Sequence, residues 1–282
     1  MQLNDPHAQS NTIPLGKNSQ YPDRYDPGLL FPIARARARQ SIGIDDTALP
    51  FIGWDLWRAY EISWLAPTGL PQVAILKAWV CCNSPNIVES KSFKLYLNSL
   101  NQEKFDSYQL VLERIKADIS QAAGLAIRAE LIPAQEFSSE RIHEPEEICI
   151  DNQPITVDTY EPNASLLEHA TGSKVVKEAL VTHLLKSNCP VTNQPDWASL
   201  HIAYHGPQID HAAILRYVVS YRNHQGFHEQ CVERIFVDLM THCNPQALSV
   251  YARYTRRGGL DINPWRATVG FAEPTSLRGA RQ

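Results

Sequence analysis

The sequence has no long apolar run, no excess of basic charge and no cysteine framework, and each absence removes a class of protein. The most apolar stretch, from Val73 to Cys82, interrupts itself with Lys77 and is only about half of the ~20 residues that a membrane-spanning helix needs. The opening residues, MQLNDPHAQSNTIPLG, contain neither a basic start nor an apolar core. No secretory signal is therefore expected, and the chain reads as cytoplasmic. With 26 Lys and Arg against 30 Asp and Glu the formal charge is −4, which argues against a nucleic-acid binder working through bulk charge. Six cysteines among 282 residues do not make a disulfide scaffold and read as reduced thiols, most of them core filler. No GxGxxG or P-loop pattern supports a conventional nucleotide-binding loop.

What is present reads as a mixed α+β protein in two similar halves. Residues 1–45, rich in Pro, Asn, Asp and Arg, show no clear period and are expected to form an extended arm draped over the body. DLWRAYEISWL and PQVAILKAWVCC read as strands joined by a turn at Pro67–Gly69. A helix follows with Phe93, Tyr96, Leu97 and Leu100 on one face, its Lys91 and Lys94 expected to be exposed. A second helix starts at Asp106 or Ser107, with Val111, Ile115 and Ile119 inward. Leu125, Ile127, Ala129 and Leu131 then alternate as in a strand. The acidic, Pro-broken segment 133–162, with short possible strands at ICID and ITVDTY, marks a boundary between a first module (46–150) and a second (151–282). After it come strands over Val175–Leu185 and Ala198–Tyr204, a helix over Ile209–Tyr221 capped by Asp210, a helix over Phe227–Cys243, and a strand carrying Leu248, Val250, Ala252 and Tyr254. The order strand, strand, helix, helix, strand occurs twice. Two antiparallel sheets, each covered by a helix pair, follow as the expected architecture.

Four segments hold residue types that carry chemistry. In LLKSNCPVTNQPDWASL, Cys189 follows a strand within a turn-rich loop, and Asp196 comes seven residues later, so a hairpin would bring a thiol nucleophile and a proton-carrying carboxyl together. The alternative is a buried, inert cysteine and a capping aspartate. In NHQGFHEQCVER, His228 and Glu229 fall at a helix start, where Glu229 could accept two parallel N–H bonds from a guanine-like ring or merely complement the helix dipole on the surface. The same segment has a zinc-like spacing, His224, His228 and Cys231, weakened by Gly226. NIVESKSFKLYLNSLN reads on composition as the start of an amphipathic helix. In YARYTRRGGLDINPWR, Arg256 and Arg257 before Gly258 and Gly259 could grip a phosphate or end a basic edge strand.

Together these segments resemble the QueF family, the NADPH-dependent 7-cyano-7-deazaguanine reductases of queuosine biosynthesis, in its long two-module form, from about Leu49 onward. The family signature E-[SL]-K-[SA]-x-K-[LY]-[YFW] is met by ESKSFKLY at residues 89–96, the Cys–Asp loop by CPVTNQPD, and the His–Glu pair by His228 and Glu229. The resemblance implies two tandem tunnelling-fold modules, the fold shared with GTP cyclohydrolase I, without that enzyme's zinc. The first module has LAPTGLPQ where the Cys–Asp loop would be, and the second has HAAILRYV where ESKSFKLY would be, so one complete site per pair of modules is expected at their interface.

The resemblance further implies Cys189 as covalent nucleophile and Asp196 as proton donor. It places the substrate, 7-cyano-7-deazaguanine, against Val88, Glu89, Ser90, His228 and Glu229, and NADPH against Ser90, Lys91, Arg257 and Gly258. It implies no metal, no direct nucleic-acid contact, no membrane, and a homodimer. Two other classes stay open at the level of sequence: a zinc-dependent purine or pterin hydrolase on the same fold, and a non-catalytic pterin-like binding module.

Overall fold

Alternating and helical hydrophobic spacings translate into fifteen regular elements over residues 22–282, the part of the chain that the computed structural model describes; the first 21 residues of the expected arm lie outside it. In chain order these are β1 (Pro32–Ala34), α1 (Ala36–Ser41), β2 (Ile52–Leu65), β3 (Pro71–Cys81), β4 (Asn86–Val88), α2 (Ser90–Ser99), α3 (Tyr108–Ala123), β5 (Arg128–Pro133), β6 (Ile148–Cys149), β7 (Thr171–Asn188), β8 (Pro195–Ile209), α4 (His211–Val219), α5 (His228–Cys243), β9 (Ala247–Tyr254) and β10 (Leu260–Ala267). Local chemistry sets the helix limits. Ser107 caps α3 by accepting from Leu110 N, and Gly124 ends it at φ 77°; Asp210 caps α4 by accepting from Ala212 N.

The two halves do not form separate sheets. Eight strands run in the order β5-β3-β2-β10-β9-β8-β7-β6, antiparallel except for the short parallel pair β6–β7. The join is β10, which pairs with β2 over its whole length. Sequence reading missed this strand because Pro264 lies at its centre and a proline cannot donate to a ladder. Pro264 is tolerated because β10 is in register with β9 only from Trp265 to Ala267. Gly53 is what lets β2 come so close: a Cβ there would sit 2.0 Å from the Trp265 carbonyl oxygen.

Other expectations change in detail. ITVDTY is not a strand, and ICID contributes only the two residues of β6. The strand expected from Leu125 starts at Arg128, and the helix after Asp210 ends at Val219 in a 3-10 turn. The described part of the arm is not merely extended, since β1 pairs with β4 and α1 packs on α5.

All four long helices cover one face of the sheet. Trp57, Ile62, Leu76, Phe93 and Ile115 belong to one buried cluster there, and Leu200, Val250, Ile214 and Phe236 to a second. Between the two clusters, on the same face, lies a buried ion network. Asp55 of β2 binds Arg35 at 2.6 Å and Arg266 of β10 at 2.8 Å; Glu233 of α5 binds Arg266 at 2.8 Å and Arg39 of α1 at 2.7 Å. The opposite face carries the aromatic group Trp54, Trp79, Tyr251 and Trp265. Among the described residues no helix is long and apolar enough to cross a membrane.

Candidate functional site

Strands β7 and β8 form a hairpin in which Ser187 faces Asp196 and Asn188 faces Pro195, leaving Cys189–Gln194 as the connecting loop. Two backbone bonds close it, Cys189 N donating to Gln194 O and Asn193 N to Cys189 O, each at 2.9 Å. Asn193 takes the left-handed conformation this turn needs, φ 55°, which asparagine tolerates. The hairpin puts Cys189 and Asp196 on the wall of one cleft. Both are buried, at 4% exposure, yet the thiol faces the cleft instead of the core.

Asp196 has a cation or ring against each oxygen. Arg257 Nε is 3.0 Å from Oδ1, and His228 Nε2 is 3.3 Å from Oδ2. Arg257 also donates to Gln194 Oε1 at 2.6 Å. The guanidinium expected to face a phosphate is thus tied to the carboxyl and the Cys189 loop. The neighbouring Arg256 lies over the Tyr60 ring instead.

The start of α5 supplies the other wall. His228 stacks flat on Tyr254, 3.7 Å between ring centroids with planes 2° apart, which fixes its Nε2 toward Asp196. Its Nδ1 is buried without a hydrogen-bond partner, and so is Glu229 Oε1. Glu229 is buried, contrary to the reading of a surface dipole residue. Burial, then the Asp55 carboxylate, pushes its carboxyl up to about 7, while His228 and Arg35 pull the other way. An orphaned buried acceptor costs about 1–3 kcal/mol, and these two belong to neighbouring residues that both line the cleft, so a ligand bringing N–H groups would find acceptors there.

The first half closes the cleft with Trp57 of β2, Val88 of β4, and Ser90 and Lys94 of α2. Lys94 was expected on a solvated face. It is half-buried and aimed at the second half: burial and then the Arg257 charge pull its ammonium below the usual range, while Glu89, Asp196 and the Cys189 thiol act in the opposite sense. Glu89 is buried, is not among the residues lining the cleft, and caps α2, accepting from Lys91 N at 2.9 Å and Ser92 N at 2.7 Å. Gly258, at φ 58°, brings its turn onto Lys94, whose Nζ would be 3.4 Å from a Cβ at that position.

Sequence reading did not single out Lys94, Trp57, Phe227 or Tyr254 for this site. Usable signals were there: Lys94 is the second lysine of ESKSFKLY, Phe227 adjoins His228, and Tyr254 lies in YARYTRRGG. The zinc-like spacing does not gather: among the described residues His224, His228 and Cys231 form no group of converging ligand atoms. His224 is pushed down to about 4, first by burial and then by Arg234. Burial pushes the Cys231 and Cys243 thiols up to about 12 and about 11, so both are inert filler.

Comparison with known proteins identifies the family. Residues 21–131 match the family described as nitrile reductase, 7-cyano-7-deazaguanine-reductase N-term, and residues 195–270 match the family of QueF-like proteins. The NADPH-dependent 7-cyano-7-deazaguanine reductase of Paraburkholderia phymatum is 56% identical over 95% of this chain and 98% of its own length, and that of Burkholderia multivorans is 54% identical over the same shares. Among solved structures, the apo archaeosine synthase QueF-Like aligns with a TM-score of 0.31 and 17% identity, over 36% of this chain and 99% of its own.

Proposed function

The chain belongs to the NADPH-dependent 7-cyano-7-deazaguanine reductases, and from that membership we propose that its cleft converts the nitrile of 7-cyano-7-deazaguanine to an aminomethyl group through a thioimide on Cys189, a step of queuosine biosynthesis. The observation that carries the reading is the pair of unpartnered buried atoms, His228 Nδ1 and Glu229 Oε1, in the same cleft as the Cys189 thiol. A deazaguanine edge offers N–H donors to a carboxylate, and seating it there turns its substituent toward the thiol.

The covalent step needs a proton moved as well as a bond made. The Cys189 sulfur adds to the nitrile carbon, the electron pair of the C≡N π bond goes to nitrogen, and the thiol proton reaches that nitrogen by way of Asp196. His228, 3.3 Å from Asp196, holds the carboxyl in position. NADPH, when bound, supplies hydride, two equivalents for each nitrile taken to the amine. The residues present fit it: Ser90, Lys91, Arg257 and Gly258 are proposed as its contacts. Lys94 and Arg257 line the cleft together with Cys189, and Gly258, lacking a side chain, lets its turn lie against Lys94. Val88, Glu89, Ser90, His228 and Glu229 are proposed as the substrate contacts.

We read the repeated order β2-β3-α2-α3-β5 and β7-β8-α4-α5-β9 as two tandem tunnelling-fold modules, with the boundary near residue 150. The chain is proposed to act as a cytoplasmic homodimer without direct contact to nucleic acid, with β5, the longer of the two outer strands of the sheet, as the edge open to pairing.

The test is direct. Pure protein mixed with the nitrile should consume two equivalents of NADPH per nitrile, followed by absorbance, and exhaustive chelation beforehand should leave the rate unchanged. No consumption would sink the reading, and consumption lost on chelation and restored only by zinc would make the reduction metal-dependent.

Glu229 gives a pH signature. Its carboxyl ionises near pH 7 in the free protein, and N–H donors from the ring stabilise only the ionised form, so binding lowers that value. Below pH 7 binding must therefore release a proton, and affinity should fall about tenfold per pH unit as the medium is acidified. Above pH 7 it should level off. Calorimetry on a Cys189→Ala background reads this without the covalent step. Glu229→Gln should bind weakly and lose the break near pH 7; an unchanged profile would remove Glu229 from the ring-binding role.

A further inference from the structure

Away from the cleft, at the outer edge of the sheet, β6 adds two residues in parallel to β7 and brings three metal-ligating side chains together. Cys149 stands on β6, Asp151 just beyond it, and His183 within the β7 irregularity between Thr182 and Leu185. One ligand atom of each, the Cys149 sulfur, a carboxylate oxygen of Asp151 and a ring nitrogen of His183, lies within 4.8 Å of the other two. From this convergence we propose that Cys149, Asp151 and His183 form a zinc-binding site, with water as the fourth ligand.

The ligand types and their supports favour zinc over other cations. Thiolate, imidazole and carboxylate together suit Zn²⁺, whereas Ca²⁺ and Mg²⁺ take oxygen ligands. Zinc bonds of about 2.0–2.3 Å put tetrahedral ligands roughly 3.3–3.8 Å apart, within a side-chain adjustment of the separation present. His183 Nδ1 lies 2.9 Å from Ser199 Oγ. With Nδ1–H donating to that oxygen, Nε2 keeps its lone pair for metal, the usual orientation of a ligating histidine. Asp151 is fixed too: Oδ1 accepts from Thr182 Oγ1 at 2.6 Å, and Oδ2 accepts from His183 N at 3.1 Å with one lone pair left over. Cys149 is an exposed free thiol, so metal can reach it, and its proton leaves when the ion binds.

The site would staple the segment linking the two halves to the sheet edge. Ile150, between two of the ligands, is already buried and donates its N–H to Val181 O. None of the three residues lines the cleft, so the ion plays no part in nitrile reduction.

Cobalt(II) is the probe, because a thiolate ligand gives it a charge-transfer absorption that oxygen and nitrogen ligands do not. Titration of the full chain should give one equivalent carrying that band, displaced by Zn²⁺. The band should persist in Cys189→Ala and vanish in Cys149→Ser, whereas His183→Gln should keep it with affinity weakened at least tenfold. Zn²⁺ should also protect Cys149 from alkylation, mapped by peptide mass, and NADPH consumption by Cys149→Ser should match the parent. No band in the parent protein, a band unchanged in Cys149→Ser, or one lost in Cys189→Ala would each overturn the site.

Discussion

Replacing Cys189 with Ala is expected to abolish nitrile reduction, by a factor on the order of 10⁴ or more, with substrate affinity largely kept. The substitution removes one sulfur from the wall of the cleft and leaves Asp196, His228 and Glu229 where they stand, since the loop is closed by the backbone bonds of residues 189, 193 and 194 and not by the thiol. Without the sulfur no covalent bond forms to the nitrile carbon, so there is no thioimide to accept the first hydride. The intact protein, mixed with the nitrile in the absence of NADPH, should gain the nitrile's mass; the alanine variant should not. Turnover in the variant within tenfold of the parent, or no adduct on the parent under non-denaturing mass analysis, would remove the thioimide.

The sequence made some parts of this site legible and hid others, and the division follows the range of the interactions. Cys189 and Asp196 are seven residues apart in a segment with two prolines and two asparagines, so local turn chemistry alone predicts the hairpin that unites them. Glu229 at the start of α5 was legible as a position, but its burial was not, because what buries it comes from β2 and the arm. Lys94 shows the limit most clearly: helical spacing separates an inward from an outward face within one half, and it cannot show that the outward face of α2 lines a cleft completed by the other half. β10 failed for a local reason, Pro264. The arm failed for a distant one, since Arg39 finds its partner 194 residues away in Glu233, and no periodicity records that.

Arg266→Met should lower stability by about 3–5 kcal/mol, the cost of stripping one partner from a buried ion network. Arg266 is fully buried at the join of the two halves and donates to Asp55 at 2.8 Å, to Glu233 at 2.8 Å, and to the carbonyl oxygens of Trp54 and Trp265. Burial disfavours its charge, and the Asp55 and Glu233 carboxylates outweigh that penalty and hold it firmly protonated. Methionine fills most of the volume, so the loss reports charge and hydrogen bonds more than a cavity. Asp55 keeps Arg35, and Glu233 keeps Arg39, but each is left with less positive charge than its burial requires. Urea denaturation measures the cost, and a loss under about 1 kcal/mol would mean that the network carries little of the joint between β2, β10 and α5. The same variant should reach the active cleft without touching it. Glu229 sits one helical turn before Glu233, and the Asp55 carboxylate already pushes its carboxyl upward. With Asp55 less neutralised, the pH at which substrate affinity levels off should move above the parent value near 7. A variant that is destabilised as expected but binds with an unshifted pH break would separate the fold's ion network from the electrostatics of the site.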